Sequence, residues 1–317
     1  MTEILTITMN PALDVLTTID KVSDTHKMRC GPTLKHPGGG GVNVARVLHR
    51  LGANCVALYL AGGVTGERHH KLMHAEKVRC HVMPIAEETR ESFSVHETSS
   101  GHDFRFVLPG PNVSVAEYEA CFDYVSQHMP KKFLVISGGL APGVPVDFYA
   151  RLTALAKQHG ARVVLDANGP ALAEALREGV YLFKPSLREL RDLTGQALSD
   201  EDSQVAASRL IITNGQAEIV ALSLGSEGAL LTTATQAWRA PSLSVNVKTT
   251  IGAGDSFLAA MTYSLTQSAS LELAMKHGMA AGSAALLNLG TSLCQPNDLY
   301  QLLSSVLTTS LKLNKTT

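Results

Sequence analysis

From about residue 110 onward, short apolar runs alternate with segments of helical spacing, and this alternation constrains the fold more than any other feature. Residues 133–136, 163–165, 181–183, 219–222 and 229–232 read as strands, separated in several places by helical segments near 115–128, 146–158, 170–177, 186–194 and 201–213. Such alternation predicts a parallel sheet with helices on both faces. Residues 4–9 and 54–61 read as buried strands, and 42–51 and 65–75 as helices, the first stopped by Gly52. A strand-like run at 242–249 precedes helices at 256–266, 271–288 and 296–308, and the tail 312–317 reads as loose. The expected class is α/β, a three-layer sandwich with a mainly parallel central sheet, in a single domain over 1–317.

Residues 91–108 break this pattern. Phe93 and Val95, then Phe104 and Phe106, alternate with polar neighbours around a Ser99-Ser100-Gly101 turn. A hairpin with one wet face fits poorly inside a parallel core. With the extended pieces at 13–19 and 28–36 it is expected to form a small β-sheet lid, made of about 13–36 and 90–108.

Composition narrows the function. Hydrophobic residues make up 45%, enough for a large core, and the net charge of −1 offers no basic surface for nucleic acid or an anionic membrane. Five cysteines without a C-x-x-C pair argue against a disulfide framework and for buried thiols in a reducing, cytoplasmic setting. Glu3 and Asp14 replace the basic start of an export signal, and no apolar run reaches membrane-span length. None of the twelve histidines, including the adjacent His69-His70, has metal-ligand spacing, and no G-x-S-x-G elbow supports a hydrolase.

The chemistry-bearing motifs follow the strands. Gly252-Ala253-Gly254 leaves bare N–H groups at a helix N-terminus, where an anion docks, and Asp255 stands beside them. A carboxylate beside an anion site suits a base that takes a proton from a hydroxyl attacking a phosphate. The run Gly38 to Gly41 with Asn43 opens another helix; it reads as a ligand approach, a flexible turn, or a Rossmann loop displaced about thirty residues from its strand. Asp14, after Asn10-Pro11 at the end of the first strand, reads as a sugar-hydroxyl ligand or a turn residue. Lys27, Arg29, Arg90 and Arg105 lie on lid segments and offer a phosphate pocket or a solvated face. Lys184-Pro185-Ser186 with Glu189 reads as a helix cap, or as a nucleotide-phosphate contact with Glu189 ordering water on Mg²⁺. Ser223 to Gly228, including Gly225, reads as a nucleotide loop or a hairpin turn.

These motifs occur in an order that resembles the ribokinase-like (PfkB) sugar kinases over nearly the full length. The resemblance rests on Asn10-Pro11-Ala12-Leu13-Asp14, on Pro37 to Arg46, on Phe104 to Gly110, and on Ile251-Gly252-Ala253-Gly254-Asp255-Ser256. It implies a ribokinase-like sandwich with a β-lid, a homodimer through that lid, and the use of ATP and Mg²⁺ with K⁺ as activator. It implies transfer of the ATP γ-phosphoryl to the 1-hydroxyl of fructose 6-phosphate, with kinases for tagatose 6-phosphate or fructose 1-phosphate as alternatives. Glycine at Gly40, where those alternatives often carry lysine, favours the first. By position, Asp14, Gly39, Gly40, Asn43, Arg90, Arg105 and Gly139 would line the sugar-phosphate site, with Lys27 and Arg29 assisting. Lys184, Ser186, Ser223, Gly225, Gly228, Ser283 and Asn288 would face the nucleotide. Asp255 would be the base, and the N–H groups of Gly252, Ala253 and Gly254 the anion hole. Glu189 would hold Mg²⁺ through water, and Thr249, Ile251, Ala285, Asn288, Gly290 and Ser292 would surround K⁺. Two positions depart from the pattern: Ser186 replaces an asparagine, and Gly139 a serine. From other classes, a non-catalytic sugar-phosphate-binding regulator would fit the Ser186 departure but not Asp255, and a dinucleotide-dependent oxidoreductase would require nicotinamide binding.

Overall fold

Every residue of the first strand, Ile4–Thr8, is buried, as befits a strand paired on both edges and covered on both faces. The computed structural model describes residues 2–313, so the tail residues 314–317 lie outside the described chain. In chain order the strands are β1 (Ile4–Thr8), β2 (Ala12–Ile19), β3 (Leu34–Gly38), β4 (Cys55–Ala61), β5 (Cys80–Pro84), β6 (Arg90–Glu97) and β7 (Asp103–Val107). They continue as β8 (Phe133–Ser137), β9 (Arg162–Asp166), β10 (Val180–Phe183), β11 (Ala217–Ser223), β12 (Ala229–Thr232), β13 (Ala237–Ala240) and β14 (Thr309–Leu311).

The large sheet has the order β14-β13-β12-β11-β10-β9-β8-β1-β4-β5. It is parallel from β11 through β5, and β12, β13 and β14 add an antiparallel margin. The chain winds from β1 outward through β4 and β5, then returns to β8 on the other side of β1. That reversal opens a crevice beyond the carboxyl ends of β1 and β8, the usual place for a ligand in such sheets. Leu5 and Ile7 of β1 point into one core and Ile4 into the other, so both faces are packed. The second core holds helix residues Val44, Val47 and Leu48 together with Phe257, Leu258 and Met261. The helices Gly40–Arg50 and Ala253–Thr266 therefore lie on one face of the sheet.

The lid is a separate four-stranded sheet of order β3-β2-β6-β7. β2 pairs in parallel with β6, opposing Ala12 to Arg90 and Asp14 to Ser92, and antiparallel strands flank them. Three expectations change. Residues 20–33 form no strand, so of the 28–36 piece only Leu34 onward pairs. The 242–249 run is irregular, because β13 has both edges taken by β12 and β14 and offers the following residues no ladder. The last two helices end earlier, at Ala285 and Leu303, and the chain then turns back to supply β14.

Candidate active site

The crevice is a cleft of about 340 Å³ whose lining includes Asn10, Asp14, Gly39, Gly40, Asn43, Arg90, Arg105, Gly139, Asp166, Glu189 and Asp255. On the side of the large sheet its wall is made of strand ends and helix starts. Asn10 follows β1, Gly139 follows β8, and Asp166 ends β9 beside Ser137 of β8. Asp14 comes from β2 and Arg105 from β7, so the lid supplies one wall.

Asp255 sits in the first turn of the Ala253–Thr266 helix, whose N-cap, Gly252, has φ +78°, a left-handed conformation that favours glycine. The helix thus starts abruptly, with unpaired N–H groups of its first turn next to a carboxylate. Asn43 Nδ2 donates to Asp255 Oδ2 at 2.8 Å. Burial raises the Asp255 pKa above the ordinary carboxylate range, while the Asn43 hydrogen bond and the charges of Lys184 and Arg105 act against the rise. A carboxylate with a raised pKa is the better proton acceptor.

Lys184 is buried just beyond β10, and its Nζ stands 3.1 Å from Asp166 Oδ1. Burial lifts the Asp166 pKa to about 6; Lys184 opposes that, while the charges of Asp255 and Glu189 add to it. Burial disfavours the Lys184 charge, yet Asp166, Glu189 and Asp255 together hold its pKa above the usual value. Three carboxylates around one ammonium leave a surplus of negative charge that a divalent cation would offset. Among the described residues no three acidic, histidine or cysteine side chains converge closely enough to hold an ion unaided. The donor set therefore fits Mg²⁺ held through water and phosphate oxygens, its customary mode.

The two departures have structural counterparts. Ser186 and Glu189 form a reciprocal helix cap: Ser186 N donates to Glu189 Oε2 at 2.7 Å, and Glu189 N donates to Ser186 Oγ at 3.2 Å. At Gly139 the missing side chain leaves the Asn168 amide as the nearest neighbour. Gly40 is required by close approach: any Cβ there would overlap Ser137 Oγ.

The lid cations divide. Arg90 spends its guanidinium on the carbonyls of Asn10 at 2.9 Å, Leu108 at 3.1 Å and Pro11 at 3.4 Å. Among the described residues the Arg105 guanidinium makes no hydrogen bond or ion pair, and it lines both the cleft and a small adjoining space beside Asp14. Lys27 and Arg29 lie outside the cleft, on the irregular 20–33 segment in a shallow depression with Glu97 and Phe104. Burial raises the Asp14 pKa, and the charges of Arg105, Arg46 and Arg90 partly cancel that.

Ser223, Gly225, Gly228, Ser283 and Asn288 do not line the cleft. Ser223 and Ser186 form a parallel bridge, which carries the β11–β12 turn alongside Lys184. Residues 223–228 are a hairpin turn between antiparallel strands, containing the 3-10 turn Gly225–Glu227. Ser283 is buried in the Leu271–Ala285 helix, and Asn288 Nδ2 caps the carbonyls of Ala284 and Leu293. The bond from Lys248 N to Leu286 O, 2.8 Å, joins the two segments that carry Thr249, Ile251, Ala285, Asn288 and Gly290. Ser292 fits a cation site poorly, because its carbonyl accepts from Arg50 at 2.7 Å and Gln295 at 3.3 Å.

Sequence reading missed Asp166 and Arg46. The signal for Asp166 is a strand, 162–166, ending in a carboxylate, as β2 carries Asp14. Arg46 carries a weaker signal, a charge among Val42, Val44, Ala45 and Val47.

Comparison with known proteins adds independent findings. The family model described as pfkB family carbohydrate kinase matches residues 8–298. The chain is 44% identical over 296 residues to the ATP-dependent 6-phosphofructokinase isozyme 2 of Mycobacterium tuberculosis, covering 93% of this chain and 87% of that one. It is 38% identical over 299 residues to the Escherichia coli protein of the same name, covering 94% and 97%. The solved structure of Escherichia coli phosphofructokinase-2 in complex with substrates and products matches with a TM-score of 0.93 at 37% identity, covering 96% and 99%. Arabidopsis thaliana ribokinase, at 20% identity and a TM-score of 0.76, shares the fold.

Proposed function

The chain belongs to the PfkB family of carbohydrate kinases, and from that premise we propose that it transfers the γ-phosphoryl of ATP to the 1-hydroxyl of fructose 6-phosphate, giving fructose 1,6-bisphosphate. One observation carries the reading: Asp255, its pKa raised, stands at a bare helix N-terminus in the same cleft as Asp14, Asn43 and the unpaired Arg105.

Arg105 holds the 6-phosphate, since a planar guanidinium suits a phosphate and this one is uncommitted. Arg90 shapes that pocket by fixing the Asn10–Pro11 backbone. Asp14 accepts from sugar hydroxyls, and the Gly39, Gly40 and Gly139 backbone lets the ring lie close. Asp255 accepts the proton of the attacking hydroxyl, and the N–H groups of Gly252, Ala253 and Gly254 stabilise the transferring phosphoryl. Lys184 and Ser186 lie on the nucleotide side, with the Ser223–Gly228 turn, Ser283 and Asn288 forming the rest of that wall. Glu189 would hold Mg²⁺ through water, and the ion would supply charge neutralisation on the phosphates. Backbone oxygens of Thr249, Ile251, Ala285, Asn288 and Gly290 would hold K⁺, which supplies positive charge near the anion hole.

On the lid face away from Asp14, exposed Phe106 packs beside half-buried Phe93, an apolar surface suited to a homodimer through this sheet. A structure of Escherichia coli phosphofructokinase-2 is described as a tetrameric inhibited form, so assembly in this family can go further. No helix among the described residues is long and apolar enough to cross a membrane, and the five free cysteines accord with a cytoplasmic setting.

The test is ADP release with fructose 6-phosphate, tagatose 6-phosphate, fructose 1-phosphate and free fructose. The highest kcat/KM is expected with fructose 6-phosphate and a 1,6-bisphosphate product; preference for fructose 1-phosphate, or no ADP release at all, overturns the proposal.

A further inference from the structure

We propose that Arg46 is a positioning residue for phosphoryl transfer: it orients the Asn43 amide toward Asp255 and ties that orientation to the turn at Thr291. The inference rests on Asp255 being the base.

Arg46 is 1% exposed and every nitrogen of its guanidinium is engaged. Nη1 donates to the carbonyls of Thr291 at 2.9 Å and Pro37 at 3.0 Å, and to Asn43 Oδ1 at 3.3 Å. Nε and Nη2 donate to Glu76 Oε1 at 2.9 and 2.6 Å. Asn43 and Arg46 are three apart on one helix, so their side chains share a face.

An asparagine amide has one accepting and one donating end, and its two orientations differ little in shape. Only one of them serves Asp255. With Arg46 on Oδ1, Nδ2 points at the carboxylate and donates to it. Turned over, the amide would set a carbonyl oxygen against the carboxylate and its NH₂ against a guanidinium. Arg46 adds to the cost that Asp255 already sets on the second orientation, and a neutral or shorter side chain would add less.

A buried guanidinium needs a partner, and Glu76 provides the charge. Glu76 in turn accepts through Oε2 from Arg50 at 2.7 Å, and Arg50 also donates to the carbonyls of Ser292 and Cys294. Two arginines four apart on one helix thus grip one carboxylate and the 291–294 segment together. Displacing this segment would disturb Arg46 and, through it, Asn43.

The experiment measures kcat and both KM values, at fixed K⁺, for Arg46→Lys, Asn43→Ala, the double variant and Glu76→Gln, with circular dichroism as a folding control. Arg46→Lys is expected to lower kcat roughly 10- to 100-fold, as misplacement near reacting groups does, with KM for ATP within about two-fold. In the Asn43→Ala background the same change should cost less than about two-fold, because its route to Asp255 is already gone. Independent, multiplying losses would overturn the proposal, as would a loss confined to KM. Should Arg46→Lys not fold, Glu76→Gln alone and in the Asn43→Ala background makes the same comparison. Asp255→Asn separates the two ideas: near-normal turnover there removes the base assignment, whereas failed coupling with a crippled Asp255→Asn removes only the role of Arg46.

Discussion

At Arg90 and Arg105 the same side chain meets opposite surroundings. Arg90 is tied to three backbone carbonyls, whereas the Arg105 guanidinium makes no hydrogen bond or ion pair among the described residues and acts on Asp14 and Asp255 as a nearby charge. Substituting each by alanine is therefore expected to give different kinetics. Arg105→Ala should raise KM for the sugar phosphate at least ten-fold, in the range of a lost charge-assisted contact of about 1.5–3 kcal/mol, and leave KM for ATP near normal. Arg90→Ala should lower thermal stability and impair both KM values, because it unpairs the carbonyls that shape the Asn10–Pro11 corner. Steady-state kinetics with a melting curve for each variant checks this, and indistinguishable variants would refute it. Sequence could place both arginines on the lid but not tell them apart, since the distinction lies in carbonyls up to 80 residues away. Asp255, Asn43 and Asp14 were legible because each follows a glycine run or a strand end. Arg46 was not, because its partners Glu76 and Thr291 are remote in sequence and only folding brings them together.

Among the elements, the helix Leu187–Thr194 shows how one residue serves a local rule and a site at once. The Ser186–Glu189 cap satisfies two N–H groups at the helix start, and the same Glu189 lines the cleft. Ser186→Ala should cost about 1 kcal/mol of stability, typical for a lost N-cap, and free Glu189 to turn toward the metal. Chemical denaturation and a Mg²⁺ titration of activity test both halves; unchanged stability would show that the cap contributes nothing. Sequence rules suggested this cap and the nucleotide role as rivals, and the geometry permits both. Elements in the parallel core were read closely, since long apolar runs and helical spacing are strong local signals. The margin was not: β13 and β14 are short, β5 has a single buried residue, and β14 exists only because the chain returns to β13. The 242–249 run failed for the converse reason, an alternating pattern that follows a strand, β13, whose two edges are already taken.

For the whole molecule, the lid was legible as a distinct sheet because its wet-faced alternation contradicts a parallel interior. Its outer apolar side chain Phe106, 54% exposed and on the face away from Asp14, is what a second subunit would cover. Phe106→Glu is expected to shift the protein toward monomer in sedimentation at micromolar concentration, while a dimer unaffected by that charge would place the interface elsewhere. The attachment of this sheet also limits how it can travel. β1 ends at Thr8 and β2 begins at Ala12, so four steps of chain connect base to lid, about 14 Å even fully drawn out. On so short a leash the lid can pivot but cannot lift away. Asp14 lies two residues past the pivot, Arg105 on the outermost strand, and Asp255 on the stationary side. A given swing therefore carries Arg105 farther than Asp14 relative to Asp255, while the ladder that joins their strands keeps the two a constant distance apart, so the lid would gauge its acceptor as a fixed template does, fitting one whose hydroxyl-to-phosphate span matches.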